Sequence, residues 1–336
     1  MAYHDPFNLD MFGSAQNTLS SGLGFGVTAF TDSPIIEPDE TARPPATAPV
    51  KLSKSPQLTA RQSAEATERS SNFRLPGSRA LAKGWKARAR DNLEAIRLAT
   101  AIVAEDRPAN REEQARLIRF TGFGASDLAN GIFTRSGEEG FRKGWEDLGE
   151  GLLEAVSEAD YASLSRCTQY AHFTPELIVR AMWKGLERLG WRGGRVLEPG
   201  IGTGLFPALM PEAFRETSFV TGVELDPVTA RIARLLQPVA RIVEGDFARA
   251  DLPAHFDLAI GNPPFSDRTV RSDRAYRSMG LRLHDYFIAR SIDLLKPGAL
   301  AAFVTSSGTM DKADPTAREH IARSADLIAA IRLPEG

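Results

Sequence analysis

The sequence predicts an α/β fold in which a doubly wound, Rossmann-like parallel sheet follows a helical region and a disordered N-terminal tail. Three observations support this prediction. From residue 193 onward, short apolar runs alternate with spacers long enough for helices. Between residues 79 and 164, apolar side chains recur at helical spacing. The first 60 residues hold seven of the 21 prolines, and residues 33–57 show almost no hydrophobic period.

The tail and the helical region set the predicted domain boundaries. We expect residues 1–75 to form a disordered tail or linker, because they bury too little apolar surface to offset the entropy lost on ordering. Residues 76–168 form the helical region, with a second helical stretch at residues 145–164, and residues 169–336 form the sheet domain. An earlier helix is marked by apolar side chains at helical spacing, namely Leu93, Ile96, Ala99 and Val103.

Six short apolar runs are the predicted strands of the sheet. They are residues 195–197, 219–223, 241–243, 256–260, 299–304 and 327–331. Most of the intervening segments can hold a helix, for example residues 227–236 and 284–295. Doubly wound sheets bind ligands at the carboxyl ends of their strands. Because several of these runs end in glycine-rich or acidic residues, we expect the ligand at that edge.

Composition excludes several classes of protein. The chain has 336 residues, of which 42% are hydrophobic and 25% are charged, as in ordinary globular proteins. The formal net charge of −2 gives no general affinity for nucleic acid, so any such contact must come from a local patch. A single cysteine, Cys167, excludes disulfide scaffolds and cysteine-cluster metal sites, and we expect no metal. No secretory signal or membrane-spanning run is present, so we expect a cytoplasmic protein.

A glycine loop follows the first predicted strand. Gly200, Gly202 and Gly204 lie between that strand and a helical stretch, where glycine allows a sharp turn and close approach of a ligand. The spacing does not fit the dinucleotide pattern, because Leu205 and Pro207 occupy the positions of its last glycine. The triphosphate-binding pattern with its lysine is also absent. The loop therefore suits a ligand without a phosphate chain.

Acidic residues end three of the predicted strands beside this loop. Glu198 is placed to receive an amino group, and Glu224, 20 residues after Gly204, can accept hydrogen bonds from two ribose hydroxyls. Asp246 can accept a hydrogen bond from an exocyclic amine. Together these positions suit a nucleoside that carries an amino-acid tail. S-adenosylmethionine fits that description.

The segment Asn262-Pro263-Pro264-Phe265 follows the fourth predicted strand. Two prolines fix the backbone and remove two N–H donors, so the loop is rigid and rich in acceptors. The Asn262 side-chain oxygen and the Pro263 carbonyl can both accept from one planar NH₂ group, while Phe265 can stack on a base. These residues are the predicted catalytic set, and they would align an amine with a methyl group for in-line transfer.

The glycine loop and the Asn-Pro-Pro-Phe segment together closely resemble class I, S-adenosylmethionine-dependent amino-methyltransferases, and the N6-adenine DNA methyltransferases above all. The segment 171–175 resembles the N-terminal cofactor motif of that family in the gamma order. Residues 121–124, 181–183 and 284–298 are similar to methylase modules of phage and plasmid methylase–helicase proteins, which are related to strawberry-notch-like and anti-restriction proteins. The resemblance covers residues 115–336.

The resemblance implies a class I methyltransferase sheet, S-adenosylmethionine as cofactor and a role for each matching residue. Glu198, Gly200 and Gly202 would line the methionine end, Glu224 would hold the ribose, and Leu225 and Asp246 would contact the adenine. The implied cofactor-binding residues are Phe173, Thr174, Pro175, Glu198, Pro199, Gly200, Gly202, Gly204, Glu224, Leu225, Asp246 and Phe247.

The chain departs from the family at its C-terminal end. The family's sheet usually carries an antiparallel strand between the fifth and sixth, whereas this sequence stops at residue 336, directly after the sixth predicted strand. Because an unpaired central strand is costly, we expect a fragment, a truncated product or completion by a partner. No target-recognition domain follows, so a helicase or a target-recognition subunit is an expected partner.

Arginines follow the catalytic segment. Residues 266–282 hold five arginines against two aspartates, which is a local surplus of three positive charges. We hypothesise that this segment is a mobile loop that contacts DNA phosphates while a base is extruded into the site. The predicted DNA-binding residues are Arg268, Arg271, Arg274, Arg277 and Arg282.

Methyl transfer to the N6 amine of adenine in DNA is the leading hypothesis. The same acceptor loop also suits other planar amines, such as a base in RNA or a glutamine amide in protein. A catalytically idle, methylase-like DNA-binding or assembly module of a mobile-element protein is a further alternative. The resemblance implies a bacterial, phage or plasmid origin.

Overall fold

The computed structural model describes residues 71–134, 140–169 and 173–333. Its centre is a parallel five-stranded sheet with strand order β3-β2-β1-β4-β5. The first strand, β1, lies in the middle of the sheet. The next two strands, β2 and β3, lie on one side of it, and β4 and β5 lie on the other side. This reversal beside β1 is the topological switch of a doubly wound sheet, where ligands bind. The predicted Rossmann-like α/β fold with a doubly wound parallel sheet is confirmed.

Five of the six predicted strands are present in the sheet. They are β1 (Gly194–Pro199), β2 (Ser218–Glu224), β3 (Arg241–Glu244), β4 (Phe256–Gly261) and β5 (Leu295–Phe303). In the register, Glu198 of β1 lies opposite Gly222 of β2, and Glu224 lies opposite Glu244 of β3. The carboxyl ends of these strands therefore meet at one edge, as the sequence predicts.

The helices come in two groups. Those before the sheet are α1 (Trp85–Ala104), α2 (Arg111–Leu117), α3 (Ser126–Ile132), α4 (Glu146–Ala155), α5 (Glu158–Cys167) and α6 (Glu176–Arg188). The helices that follow β1 in the chain are α7 (Leu205–Ala208), α8 (Glu212–Arg215), α9 (Pro227–Leu236), α10 (Leu283–Asp293), α11 (Ser307–Asp311) and α12 (Thr316–Ala322). Helices α1, α2 and α5 contact α9, so the helical region packs on one side of the sheet.

Two predictions about secondary structure are wrong. Residues 327–331 form no strand, and Leu327, Ile328 and Ile331 are 70%, 59% and 58% exposed. Among the described residues, no strand pairs with the outer edge of β5. The neighbour that a sixth strand would need, between it and β5, is therefore missing. The helical stretch at residues 145–164 is broken, because Ser157 caps a new helix by accepting a hydrogen bond from Asp160 N.

Residues 72–79, here called the strap, run across the back of the sheet domain. Phe73 N donates to Leu236 O at 2.6 Å, and Leu75 N donates to Ala208 O at 2.9 Å. Phe73 and Leu75 are both buried in the main apolar cluster. The sequence assigned residues up to 75 to a disordered linker, yet this part is bonded to α7 and α9; residues 1–70 lie outside the described part of the chain.

Candidate active site

The glycine loop turns sharply at the end of β1. Gly200, Gly202 and Gly204 have φ of 80°, 56° and 82°, a region that favours glycine. The amides of Gly200 and Ile201 both donate to Val223 O at 2.9 Å, which fixes the loop over the end of β2. The predicted residue Phe173 packs here, since a Cβ added at Gly202 would lie 3.6 Å from its ring. A side chain on the loop would therefore occupy the crevice.

Glu224 holds the loop as well as facing the site. Its Oε2 accepts from Gly202 N and its Oε1 accepts from Asp226 N, each at 2.9 Å. Burial, with the nearby charge of Asp226, raises the pKa of Glu224 to about 7, although three backbone amides oppose the shift. Each carboxylate oxygen keeps a lone pair that can accept from a ribose hydroxyl. Protonation of Glu224 near neutral pH would weaken that acceptor.

Glu198 is the most buried acidic residue of the site. It is 2% exposed, and its Oε2 makes no hydrogen bond within the described residues. Burial, reinforced by the charge of Glu224, raises the pKa of Glu198 well above its ordinary value. A buried carboxyl without a partner is costly. A cationic amino group beside Glu198 would supply the missing partner.

The other predicted cofactor residues lie along the same edge. Leu225 is half exposed at the end of β2, and Asp246 is exposed and caps its own turn by accepting from Ala248 N at 2.9 Å. Phe247 is buried, with its ring centroid 4.8 Å from that of Phe287. Thr174 is buried. Its neighbour Pro175 begins α6 as its N-cap residue.

The Asn262-Pro263-Pro264-Phe265 segment lies against the glycine loop. It follows β4, which pairs with β1, and a Cβ added at Gly200 would lie 3.8 Å from Pro264 Cδ. The Asn262 Oδ1 atom is buried, and the Phe265 ring centroid is 6.3 Å from that of His284. The predicted amine trap and the predicted cofactor loop are therefore neighbours across the switch point of the sheet. Pro199 lies between them, 3.8 Å from a Cβ added at Gly261.

Several residues around the site were not found from the sequence. His284, Phe287 and Gly222 surround the two loops; a Cβ added at Gly222 would overlap Ile201 of the glycine loop. Arg79 of the strap contacts the Phe173 motif. For Gly222 the only signal is a glycine inside an apolar strand, which marks close approach of another backbone.

The arginine loop is anchored rather than loose. Thr269 and Arg282 form an isolated antiparallel bridge at its base, and Arg282 pairs with Asp267 at 2.8 Å. Asp273 accepts from Tyr286 OH at 2.8 Å, and Tyr276 OH donates to Asp293. These contacts tie the loop to α10, while its mobility stays a prediction. All five arginines, Arg268, Arg271, Arg274, Arg277 and Arg282, are exposed.

Within the described residues, no group of three or more histidine, cysteine or carboxylate side chains could hold a metal ion. None of the described helices has the length and apolar character needed to cross a bilayer.

Comparison with known proteins shows what this chain resembles. A family model described as Eco57I restriction-modification methylase matches residues 220–335, about a third of the chain. This range includes the Asn262-Pro263-Pro264-Phe265 segment and the arginine loop. Over this range the chain is similar to methylases, and the resemblance inferred from its motifs is confirmed. The prediction that the cofactor is S-adenosylmethionine is also confirmed, because the matching family is one of methylases.

Individual relatives are similar over parts of their length. Defense against restriction protein B of Escherichia phage P1 is 28% identical over 171 residues, which is 49% of this chain and 7% of that protein. Type II methyltransferase M.XamI of Xanthomonas campestris pv. amaranthicola is 31% identical over 162 residues, or 42% of this chain and 30% of that protein. The type I restriction-modification methyltransferase subunit from Streptococcus thermophilus aligns with a TM-score of 0.39 at 15% identity, covering 69% of this chain and 60% of that one. The chain thus spans under a third of either of the first two relatives.

Proposed function

We propose that this chain transfers a methyl group from S-adenosylmethionine to the exocyclic N6 amine of adenine in DNA. The observation that carries the proposal is the closeness of the acceptor loop after β4 to the glycine loop after β1, since a Cβ added at Gly200 would lie 3.8 Å from Pro264 Cδ. One loop offers oxygen acceptors for a planar amine, and the other is shaped for a ligand without phosphates. The match to a restriction-modification methylase supports DNA as the substrate.

The site residues fit the cofactor. Glu198 Oε2 is a buried oxygen without a partner in the described structure, and it would accept from the ammonium of the methionine tail. Gly200 and Gly202 leave a cradle that any side chain would fill. Glu224 would accept from the ribose hydroxyls, while Leu225, Asp246 and Phe247 would lie along the adenine. When bound, the cofactor supplies a methyl group on a sulfonium.

The acceptor loop prepares the amine for attack. Asn262 Oδ1 and the Pro263 carbonyl accept one N–H each, which draws the nitrogen lone pair out of the ring and toward the methyl carbon. Phe265 stacks on the base. Asn262 and Pro263 would hold the amine in line with the methyl group that the cofactor supplies, so that transfer would leave S-adenosylhomocysteine and release one amine proton to water. No covalent intermediate on the protein is needed, because alignment of the reacting atoms lowers the barrier.

The arginine loop would bind the DNA backbone next to this site. Its five arginines are exposed on a segment that begins directly after Phe265 and ends at α10, which carries His284. Its anchoring by Asp273 and Tyr276 holds these charges at a fixed distance from the amine trap. A base must leave the duplex to reach that trap, and phosphate contacts on the flanking strand would stabilise the extruded state.

Replacing the five loop arginines with serine should flatten the salt dependence of DNA binding. Each phosphate contact contributes about 0.9 to the slope of log affinity against log salt concentration, so the slope should fall by about 3–5. Fluorescence anisotropy with a labelled duplex between low and moderate salt measures it. The control is the pair Arg116→Ser and Arg142→Ser, exposed arginines of the helical region. An unchanged slope in the five-arginine variant contradicts this role.

The proposed function is tested by binding followed by transfer. Isothermal titration should give a stoichiometric complex with S-adenosylmethionine; an idle module should bind none. A tritiated-methyl assay then compares duplex DNA, single-stranded RNA and a glutamine-containing peptide, and digestion of the DNA should place the label in N6-methyladenine. Label in RNA or peptide alone, or in cytosine, would contradict the proposal.

A further inference from the structure

Arg79 of the strap is a buried cation beside the predicted cofactor pocket. It is 4% exposed, and its Nε donates to Glu176 Oε1 at 2.7 Å. Its Nη2 donates to the backbone carbonyl of Thr174 at 3.4 Å. The Nη1 atom is also buried, yet it makes no hydrogen bond within the described residues. Two nitrogens of this guanidinium have acceptors and the third has none. A buried donor without an acceptor costs free energy.

The position of Arg79 relates this donor to the glycine loop. Its Cζ lies 6.0 Å from the ring centroid of Phe173, and that ring lies 3.6 Å from a Cβ added at Gly202. Phe173 therefore bridges the guanidinium and the part of the loop expected to face the methionine end of the cofactor. Glu198, the carboxyl without a partner, belongs to the same loop at the end of β1.

We infer that Arg79 binds the carboxylate of the cofactor's methionine tail through Nη1, and this inference rests on the proposed function. The tail is a zwitterion, with an ammonium and a carboxylate on one carbon. Each of these two buried side chains has one atom without a hydrogen-bond partner in the described structure: Glu198 Oε2 and Arg79 Nη1. Glu198 matches the ammonium and Arg79 matches the carboxylate, and a guanidinium N–H to carboxylate bond is among the stronger hydrogen bonds in proteins.

The strap is built to hold Arg79 in this place. Its backbone is fixed to α9 through Phe73 N and to α7 through Leu75 N. The side chain of Gln237 connects the strap to the glycine loop, since its Nε2 donates to Phe73 O at 3.5 Å and to Gly204 O at 3.4 Å. A segment that precedes helix α1 would thus complete a subsite of the sheet domain.

The test compares three ligands: S-adenosylmethionine, its decarboxylated form, which lacks only the carboxylate, and 5′-methylthioadenosine, a neutral thioether that lacks the whole amino-acid tail. Titration calorimetry on the wild-type chain should show decarboxylation weakening binding by about 10- to 100-fold, the range of a charge-assisted hydrogen bond. In Arg79→Met, binding of S-adenosylmethionine should fall by a similar factor. The two forms should then bind almost equally, and binding of 5′-methylthioadenosine should be unchanged.

Arg74→Met is the matched control, because Arg74 lies in the same strap but forms an exposed ion pair with Glu212. It should leave all three affinities unchanged. If Arg79→Met weakens all three ligands equally, or keeps the wild-type preference for the carboxylate, the inference is wrong. If that variant does not fold, the wild-type comparison decides alone: no preference for the carboxylate overturns the inference. A wild-type chain that binds none of the three ligands contradicts the proposed function instead.

Discussion

Asn262→Ala should lower the rate of methyl transfer to DNA by about 10²–10³-fold, the usual cost of removing one preorganised polar contact to a developing charge. The variant loses the side-chain oxygen that accepts from the amine, so the nitrogen lone pair stays conjugated with the ring. Binding of S-adenosylmethionine should change by less than about threefold, because Asn262 lies on the β4 side of the crevice and the glycine loop is untouched. Single-turnover transfer of tritiated methyl and titration calorimetry measure the two effects.

Ser266→Ala is the control for this variant. Ser266 directly follows the catalytic segment, and its Oγ accepts only a local hydrogen bond from Arg268 N at 3.2 Å. It should therefore keep both the transfer rate and cofactor binding. Thermal unfolding of each variant checks that the chain is folded. Transfer by Asn262→Ala within threefold of wild type would remove the basis of the proposed mechanism.

Cofactor affinity should fall about tenfold between pH 8 and pH 6. The pKa of Glu224 is raised to about 7, so its carboxylate is about 90% ionised at pH 8 and about 10% ionised at pH 6. The ionised form is the better acceptor for the ribose hydroxyls. Titrations at several pH values measure the trend. Glu224→Gln should bind weakly with a smaller pH dependence; a variant that keeps the wild-type affinity and pH profile would show that Glu224 does not hold the ribose.

The same group should make the cofactor-free protein less stable as pH rises. A carboxyl whose pKa is raised on folding stabilises the folded state below its unfolded pKa of about 4.5, and this contribution is lost as pH increases through about 7. Between pH 4.5 and pH 8, the stability of Glu224→Gln relative to wild type should therefore improve by about 2–3 kcal/mol. Comparing pH trends cancels the constant cost of the changed contacts to Gly202 N and Asp226 N.

The sequence predicted the sheet well because each strand contains a short continuous apolar run. Residues 227–236 were predicted to hold a helix, and α9 has these bounds. It begins there because Asp226 caps it and Pro227 occupies its first position. The run at residues 327–331 has the same local character but forms no strand. Whether a strand forms depends on a neighbour to pair with, and that is not a local property of the sequence.

The site was predicted where chemistry depends on short motifs and missed where it depends on distant packing. The glycine loop and the Asn-Pro-Pro-Phe segment are each contiguous, so their residues could be read directly. Arg79 is 97 positions from its partner Glu176, and no spacing rule connects them. Ser157 is different, because its capping pattern with Asp160 was visible and could have located the break between α4 and α5.

Because the strap packs on the sheet domain, a gene segment that encodes a working copy of this domain must include more residues than those that carry the motifs. A recombination event that carried only residues 169–336 into another gene would leave behind the partners of Leu236 O, Ala208 O and the Gln237 amide. Those buried groups would then need replacements from the new host. Crossovers upstream of residue 72 should therefore preserve a folded domain more often than crossovers between the helical region and the sheet.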